Sequence, residues 1–174
     1  RHLDILFSAA KSTGKKVHVH VDQLNIVEER ETERLAQKTI EHGLEGKVVA
    51  VHSISLACHP KMYRDYVYNL SKDAGLQFVS CPSAWIDHPR TETLSPTHNS
   101  LTPIDEMLEW GLTVGIGTDN IEDIYKPFCN GDMMFEVRLA LEAFKIYDIH
   151  KLVDIAYNNG LKILSPNYKM VFNC

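Results

Sequence analysis

Four short apolar stretches recur roughly every thirty residues along the chain, and each is followed by a helical pattern. The second stretch contains Val-Val-Ala-Val and is apolar on both faces, which is typical of a parallel strand covered on both sides. This alternation predicts an α/β fold built on a parallel sheet. The predicted strands are residues 16–21, 47–52, 76–81 and 112–117.

Two architectures contain such strand–helix units. Four units are half of a (β/α)8 barrel, and they also make a small doubly wound open sheet. The glycine-rich phosphate loop of a dinucleotide-binding open sheet is missing, because Gly115-Ile116-Gly117 comes before the end of the fourth strand and has no third glycine. The barrel is therefore the favoured architecture.

Glycines mark the expected ends of the helices, since glycine readily adopts the left-handed backbone that closes a helix. The last predicted helix covers residues 151–157 and stops at Gly160. The other expected stops are Gly14, Gly43, Gly75 and Gly111.

The composition excludes several classes of function. The formal net charge is −5, so the sequence lacks the excess of basic residues that proteins use to bind nucleic acids or anionic membranes. The 174 residues suffice for one sizeable core. Four cysteines lie far apart without a C-x-x-C pair, which excludes a zinc knuckle or redox motif and indicates a reducing, cytoplasmic compartment. The H-x-E and P-C-x-x-C motifs of base-editing zinc deaminases do not occur either.

Polar residues alternate with valines in the first strand. His18, His20 and Asp22 share one face if this segment is extended. Two imidazoles and a carboxylate are costly to bury unless they bind a metal, pair with one another or donate and accept hydrogen bonds. The segment therefore indicates either a metal site or a half-exposed strand whose polar side faces water.

Polar residues also occur where the other predicted strands end. In parallel sheets with helical crossovers, functional groups gather at the carboxyl ends of the strands. A lone histidine at such an end is more often a hydrogen-bonded core residue, and Asp119-Asn120 alone would pass for a turn. Their joint occurrence predicts a shared polar site. The strand ends read His20 to Gln23, His52, Cys81-Pro82 and Asp119-Asn120.

These strand ends resemble the amidohydrolase superfamily, and most closely its cytosine deaminase-like branch of metal-dependent hydrolases. That branch has His-x-Asp-Glu after strand five, a histidine on strand six and an aspartate on strand eight. The corresponding segments here are His20-Val21-Asp22-Gln23, the second strand ending in His52-Ser53, and Gly117-Thr118-Asp119-Asn120. Residues from about 10 to 165 can be laid along the branch with these separations kept.

The resemblance implies a (β/α)8 TIM barrel of which this chain supplies the last four βα units, strands five to eight. Residues 1–165 would form this C-terminal half, and residues 166–174 would begin a strand leading to a small β domain that is absent. The N-terminal half of the same barrel would be the partner, and a half-barrel lacking it would not fold alone. Homo-oligomerisation is also possible.

The resemblance further implies one divalent metal ion, zinc or iron, bound by His20 and Asp119. The remaining ligands would come from an upstream His-x-His that is not in this chain. Asp119 would accept the proton of the attacking water while ligating, and His52 would orient the water or stabilise the oxyanion. The expected reaction is hydrolysis of a C–N bond in a cyclic amidine or amide, a nitrogen heterocycle, with release of ammonia or an amine.

Two departures bear on the chemistry. Gln23 replaces the family's proton-shuttling glutamate, and Asn120 stands where an acidic residue is common. Gln23 is expected to be a catalytic residue together with His52 and Asp119, because it can still hydrogen-bond a ring amide while Asp22 or Asp119 transfers protons. The alternative is a catalytically impaired, ligand-binding relative. Residues expected to contact the substrate are Asp22, Gln23, Trp85, Asn120 and Tyr125, with His88 on the same long loop as Trp85.

Overall fold

The four predicted strands form one parallel sheet in chain order, β1-β2-β3-β4. In the computed structural model, which describes residues 2–86 and 101–164, all three neighbouring pairs are parallel. The predicted parallel sheet is therefore confirmed. The strands are β1 (Val17–Val21), β2 (Val48–His52), β3 (Gln77–Ser80) and β4 (Thr113–Ile116).

Helices connect the strands and follow the last one. None of the helices within the described ranges is long and apolar enough to cross a membrane. A 3₁₀ turn, Ile54–Cys58, follows β2. The helices are α1 (His2–Thr13), α2 (Glu31–Glu41), α3 (Lys61–Asp73), α4 (Ser83–Ile86), α5 (Ile104–Glu109), α6 (Met133–Phe144), α7 (Ile149–Val153) and α8 (Asn159–Leu164).

The main core lies between one face of the sheet and the helices α1, α2, α3, α5 and α6. We call this face the outer face; it carries Val48, Ala50, Phe78 and Val114. Helices from successive units all pack into this single cluster, as right-handed crossovers between strands in sequential order require. The described part of the chain is therefore singly wound, as in a barrel, and the doubly wound sheet does not apply to it. The helical members include Phe7, Leu35, Val67, Ile104 and Val137.

The opposite, inner face has a smaller core. In the strand register, His18 is next to Val49 and His20 is next to Val51, so the two histidines share this face with the valines. Val49 and Val51 are buried together with Ile163 of α8. The end of the chain's last described helix thus covers part of the inner face.

The predicted stop at Gly160 is wrong, because the helical path runs from α7 through a π turn, Asp154–Asn158, into α8. Gly115 of β4 allows the helix to approach this strand closely, whereas a Cβ on Gly160 would have no atom within 4 Å. A Cβ placed on Gly115 would lie 3.5 Å from the backbone nitrogen of Gly160 and 3.1 Å from Ile163. Asn159 fixes this approach, since its Nδ2 donates to the carbonyl oxygen of Val114 at 2.9 Å.

Gly75, which ends α3, offers a test of this packing. Its φ is +59°, and a Cβ placed there would lie 2.8 Å from the backbone nitrogen of Gly46. Gly14 has a similar φ of +68° but open space around it. We expect Gly14→Ala to lower the free energy of unfolding by about 1–2 kcal/mol, the cost of a left-handed alanine. Gly75→Ala should cost about 1–3 kcal/mol more because the backbone must move.

Chemical denaturation of both variants, made in the whole protein that carries this chain, measures these free energies. Equal losses for the two substitutions would contradict the close approach of Gly75 to Gly46.

Candidate metal and substrate site

Non-glycine residues with left-handed backbone lie at or just after the carboxyl ends of three strands. Asp22, His52 and Asp119 follow or end β1, β2 and β4 with φ of 53°, 77° and 60°. This conformation is uncommon and costs a non-glycine residue about 1–2 kcal/mol, although aspartate and histidine adopt it more often than most residues. Such strain is often found at functional positions. We call this end of the sheet, with Cys81 after β3, the polar edge.

The left-handed backbone directs His52 towards the other polar residues. In a regular strand its side chain would lie on the outer face with Val48 and Ala50. Instead Nε2 of His52 lies 3.0 Å from Nδ1 of His20. The same atom lies 3.8 Å from Oδ2 of Asp119. The structure thus brings together His20, His52 and Asp119, the residues that sequence analysis places at one site.

Burial decides the charge of His52. Its side chain is 2% exposed, and Thr102 donates a hydrogen bond to its carbonyl oxygen. Desolvation lowers the pKa of His52 below the ordinary value, and the Asp119 carboxylate partly offsets this effect. The imidazole is therefore held neutral, which is the form that ligates metals and accepts protons.

Cys81 joins this group. One ligand atom each of His52, Cys81 and Asp119 lies within 4.8 Å of the other two. Burial, followed by the nearby Asp119 and Glu136 carboxylates, raises the pKa of the Cys81 thiol to about 12. Cys81 was predicted to lie at a strand end and was not among the predicted site residues. The sequence signal for Cys81 was its position at the carboxyl end of β3, which lies between the strands that end near His52 and Asp119.

The donor atoms of this group fit a divalent metal ion such as zinc. Imidazole nitrogen, thiol sulfur and carboxylate oxygen are the donors that zinc prefers. His20 adds a second imidazole through its contact with His52. The described residues therefore provide a mixed donor set at the polar edge without any large rearrangement of the strands.

Asp22 is engaged with the backbone. It is 1% exposed, and its carboxylate accepts from the backbone N–H of Glu31 at 2.6 Å and of Thr32 at 3.0 Å, at the start of α2. In return its own N–H donates to Oε2 of Glu31 at 2.9 Å. Its carbonyl oxygen accepts from Ile54 and Ser55 after β2. Asp22 thus fixes the loop that carries half-buried Gln23 relative to two neighbouring elements.

The loop between β4 and α6 is organised by Asp123. Its Oδ1 accepts from the backbone N–H of Tyr125 at 2.9 Å and of Lys126 at 2.8 Å, and its other oxygen accepts from the Asn120 side chain. The Tyr125 side chain is 76% exposed beside this turn. Trp85 lies in α4, but its side chain is outside the described residues, as is all of His88.

A cavity of about 440 Å³ opens between the loops that follow β3 and β4. Glu136 of α6, which is fully buried, accepts from the backbone N–H of Ser83 at 2.8 Å and from its hydroxyl. Lys126 donates to the carbonyl oxygen of Ser83. Glu136 was not among the predicted site residues; the signal in the sequence was an acidic residue next to Val137, within a predicted helix. The lining comprises Ser83, Lys126, Pro127, Phe128, Cys129, Asn130, Asp132, Phe135 and Glu136.

No protein-family model matches the chain. It is 53% identical over 106 residues to an uncharacterised protein of Haemophilus influenzae, covering 61% of this chain and 38% of that protein. It is 36% identical over 132 residues to N-isopropylammelide isopropyl amidohydrolase of Pseudomonas sp. (strain ADP), covering 76% of this chain and 30% of that enzyme. The chain thus spans only about a third of the length of these relatives.

Solved structures have the same fold. The chain matches a 5-methylcytosine deaminase from Klebsiella pneumoniae, liganded with 5-fluorocytosine, with a TM-score of 0.85 and 23% identity over 94% of this chain and 40% of that one. It matches an adenosine deaminase from Xanthomonas campestris with bound zinc with a TM-score of 0.65 and 19% identity, over 93% of this chain and 35% of that one. The four-stranded parallel sheet therefore matches part of an amidohydrolase TIM barrel.

The polar strand ends of the sequence resemble those of the amidohydrolase superfamily. The relative named as an amidohydrolase and the deaminase folds are consistent with that resemblance. The chain belongs to the amidohydrolase superfamily.

Proposed function

We propose that this chain is the C-terminal half of a metal-dependent hydrolase that cleaves a non-peptide C–N bond in a cyclic amidine or amide and releases ammonia or an amine. The observation that carries the proposal is the convergence of His20, His52 and Asp119 at the carboxyl ends of three parallel strands. Further support comes from the relative named as an isopropyl amidohydrolase and from the deaminase folds.

In this proposal β1 to β4 are strands five to eight of the barrel. The N-terminal half of the same barrel would complete the sheet next to β1 and supply a His-x-His pair. Residues 1–165 would belong to the barrel, and residues 166–174, which lie outside the described part, would begin a strand of a small β domain.

His20 and Asp119 would hold one divalent ion, zinc or iron. Such an ion supplies Lewis acidity that lets water attack near neutral pH. Asp119, at the rim of the site, would accept the proton of the attacking water. Neutral His52 would orient that water and hydrogen-bond the oxyanion that develops on the substrate.

Gln23 narrows the choice of substrate. An amide cannot carry a proton from water to a leaving amine, so ordinary cytosine deamination is disfavoured. It can donate to and accept from a ring amide, and Asp22 holds its loop in place. We propose a cyclic amide or an alkylamino triazine as the substrate, with Trp85, Asn120 and Tyr125 near the ring. A ligand-binding protein without turnover is the second candidate, and Gln23 is the observation in its favour.

Removing a ligand tests the metal site. In the whole protein that carries this chain, His20→Ala and Asp119→Ala should each lose bound divalent metal and hydrolytic activity. His18→Ala is the matched control, because His18 lies on the same face of β1 two residues earlier. It should keep its metal. Metal analysis of the purified proteins and assays on cyclic amides and alkylamino triazines measure both properties.

Full metal content and activity in both His20→Ala and Asp119→Ala would refute the proposed site. Loss of metal in His18→Ala alone would place the site deeper on the strand than we propose.

Replacing Gln23 tests the role of the missing acid. Gln23→Glu restores a group that shuttles protons, and general acid–base catalysis is typically worth about 10²–10⁴-fold in rate. We expect deaminase turnover on cytosine analogues to appear or to rise within that range. Steady-state kinetics of the two proteins measure the change, and Gln37→Glu on the exposed face of α2 is the control.

An unchanged rate in Gln23→Glu would favour different chemistry if the parent hydrolyses a cyclic amide. It would favour the ligand-binding candidate if the parent hydrolyses none.

A further inference from the structure

The backbone is held by hydrogen bonds on both sides of Gln23. The carbonyl oxygen of Asp22, in the peptide group before Gln23, accepts from the backbone N–H of Ser55 at 3.1 Å. The N–H of Leu24, in the peptide group after it, donates to Oε2 of Glu29 at 2.8 Å. Because each peptide group is planar, holding both groups leaves the φ and ψ of Gln23 little freedom. The direction in which its side chain leaves the backbone is then set.

Ser55 joins the two points at which this backbone is held. It lies in the 3₁₀ turn after β2 and is fully buried. Its hydroxyl donates to the same Oε2 of Glu29 at 2.5 Å and accepts from the backbone N–H of Ile26 at 3.3 Å. Glu29 is held in turn by the buried side chain of His59, whose Nε2 donates to its carbonyl oxygen at 2.8 Å. The loop that carries Gln23 is therefore attached to the turn after the neighbouring strand.

We propose that Glu29 is a positioning residue that fixes Gln23 for hydrogen-bonding to a ring amide of the substrate. This inference rests on the proposed function, in which Gln23 contacts the ring. A glutamine side chain has several rotatable bonds, so a fixed backbone reduces the conformational freedom that is lost when the substrate binds. The geometry also affects the rate, since a displacement of about 1 Å can cost about a hundredfold.

A purely structural role for Glu29 predicts a different result. In that case the loss of its carboxylate lowers activity by the same factor whether or not the Gln23 side chain is present. If Glu29 acts through Gln23, its loss matters only while that side chain is there to be positioned. A double-mutant cycle separates the two roles, because the effects of independent sites multiply and the effects of coupled sites do not.

The cycle uses the zinc-loaded whole protein and an ethylamino triazinedione, a ring with amide groups and an alkylamino leaving group. Glu29→Ala should lower kcat/KM by about 10–100-fold. In a Gln23→Ala background the same substitution should change it by less than about twofold. Glu29→Gln should stay within about threefold of the parent, because one amide oxygen can accept both of the hydrogen bonds that Oε2 accepts. Glu28→Ala, at the exposed neighbouring residue, is the matched control and should keep the parent's activity.

Circular dichroism verifies that each variant is folded, and Ser55→Ala replaces Glu29→Ala in the cycle if the latter is not. Equal losses in the two backgrounds overturn the inference, as does full activity in folded Glu29→Ala. A loss in Glu29→Gln as large as that in Glu29→Ala also overturns it, because the charge rather than the geometry would then be what matters.

The proposed function succeeds or fails separately from this inference. If the parent binds the triazinedione without turnover, dissociation constants from titration calorimetry replace kcat/KM in the cycle. Coupled effects on those constants would sustain the inference while the proposed hydrolysis fails. Hydrolysis with effects that multiply would sustain only the function. A folded parent that neither binds nor hydrolyses the compound overturns the inference, since Gln23 then recognises no ring amide.

Discussion

The left-handed turn at His52 is the constraint on which the candidate site depends. Strand alternation would send this imidazole into the outer core, where apolar helices would surround it. The φ of 77° turns it towards His20 and Asp119 instead. The strain of this backbone is stabilised by its surroundings, since Thr102 and the register with β1 hold the residue. The cost of the turn is of order 1–2 kcal/mol, and the result is a buried, neutral imidazole at the polar edge.

The residues that stabilise the fold and the residues of the candidate site lie in different parts of the structure. The outer face and its helices contain nearly all of the apolar burial, whereas the polar residues lie at the ends of the strands. Asp22 connects the two regions. Its carboxylate accepts hydrogen bonds from backbone N–H groups at the start of α2, and its carbonyl oxygen accepts hydrogen bonds from the 3₁₀ turn after β2. Glu136 does the same between α6 and the loop after β3. Both carboxylates thus position loops that surround the candidate site.

The sequence predicted the sheet well because apolar periodicity and glycine positions are local signals. All four strands lie within one or two residues of their expected bounds. The stop at Gly160 was wrong because the helix continues along β4, where Asn159 donates to the carbonyl oxygen of Val114, a residue distant in the chain. Likewise, the sequence could place Asp22, His52, Cys81 and Asp119 at strand ends, but their distances depend on register and on backbone φ. The local sequence pattern predicts neither the hydrogen bonds from the start of α2 to Asp22 nor the short distances from Cys81 to His52 and Asp119.

Anomalous X-ray diffraction at the zinc edge, from crystals of the whole protein with zinc, would test most directly whether the polar edge is a metal centre. The account predicts one strong peak at the carboxyl ends of the strands, within bonding distance of Nδ1 or Nε2 of His20 and of the Asp119 carboxylate. No peak, or a peak bound by other residues with His20 and Asp119 left apart, would contradict it.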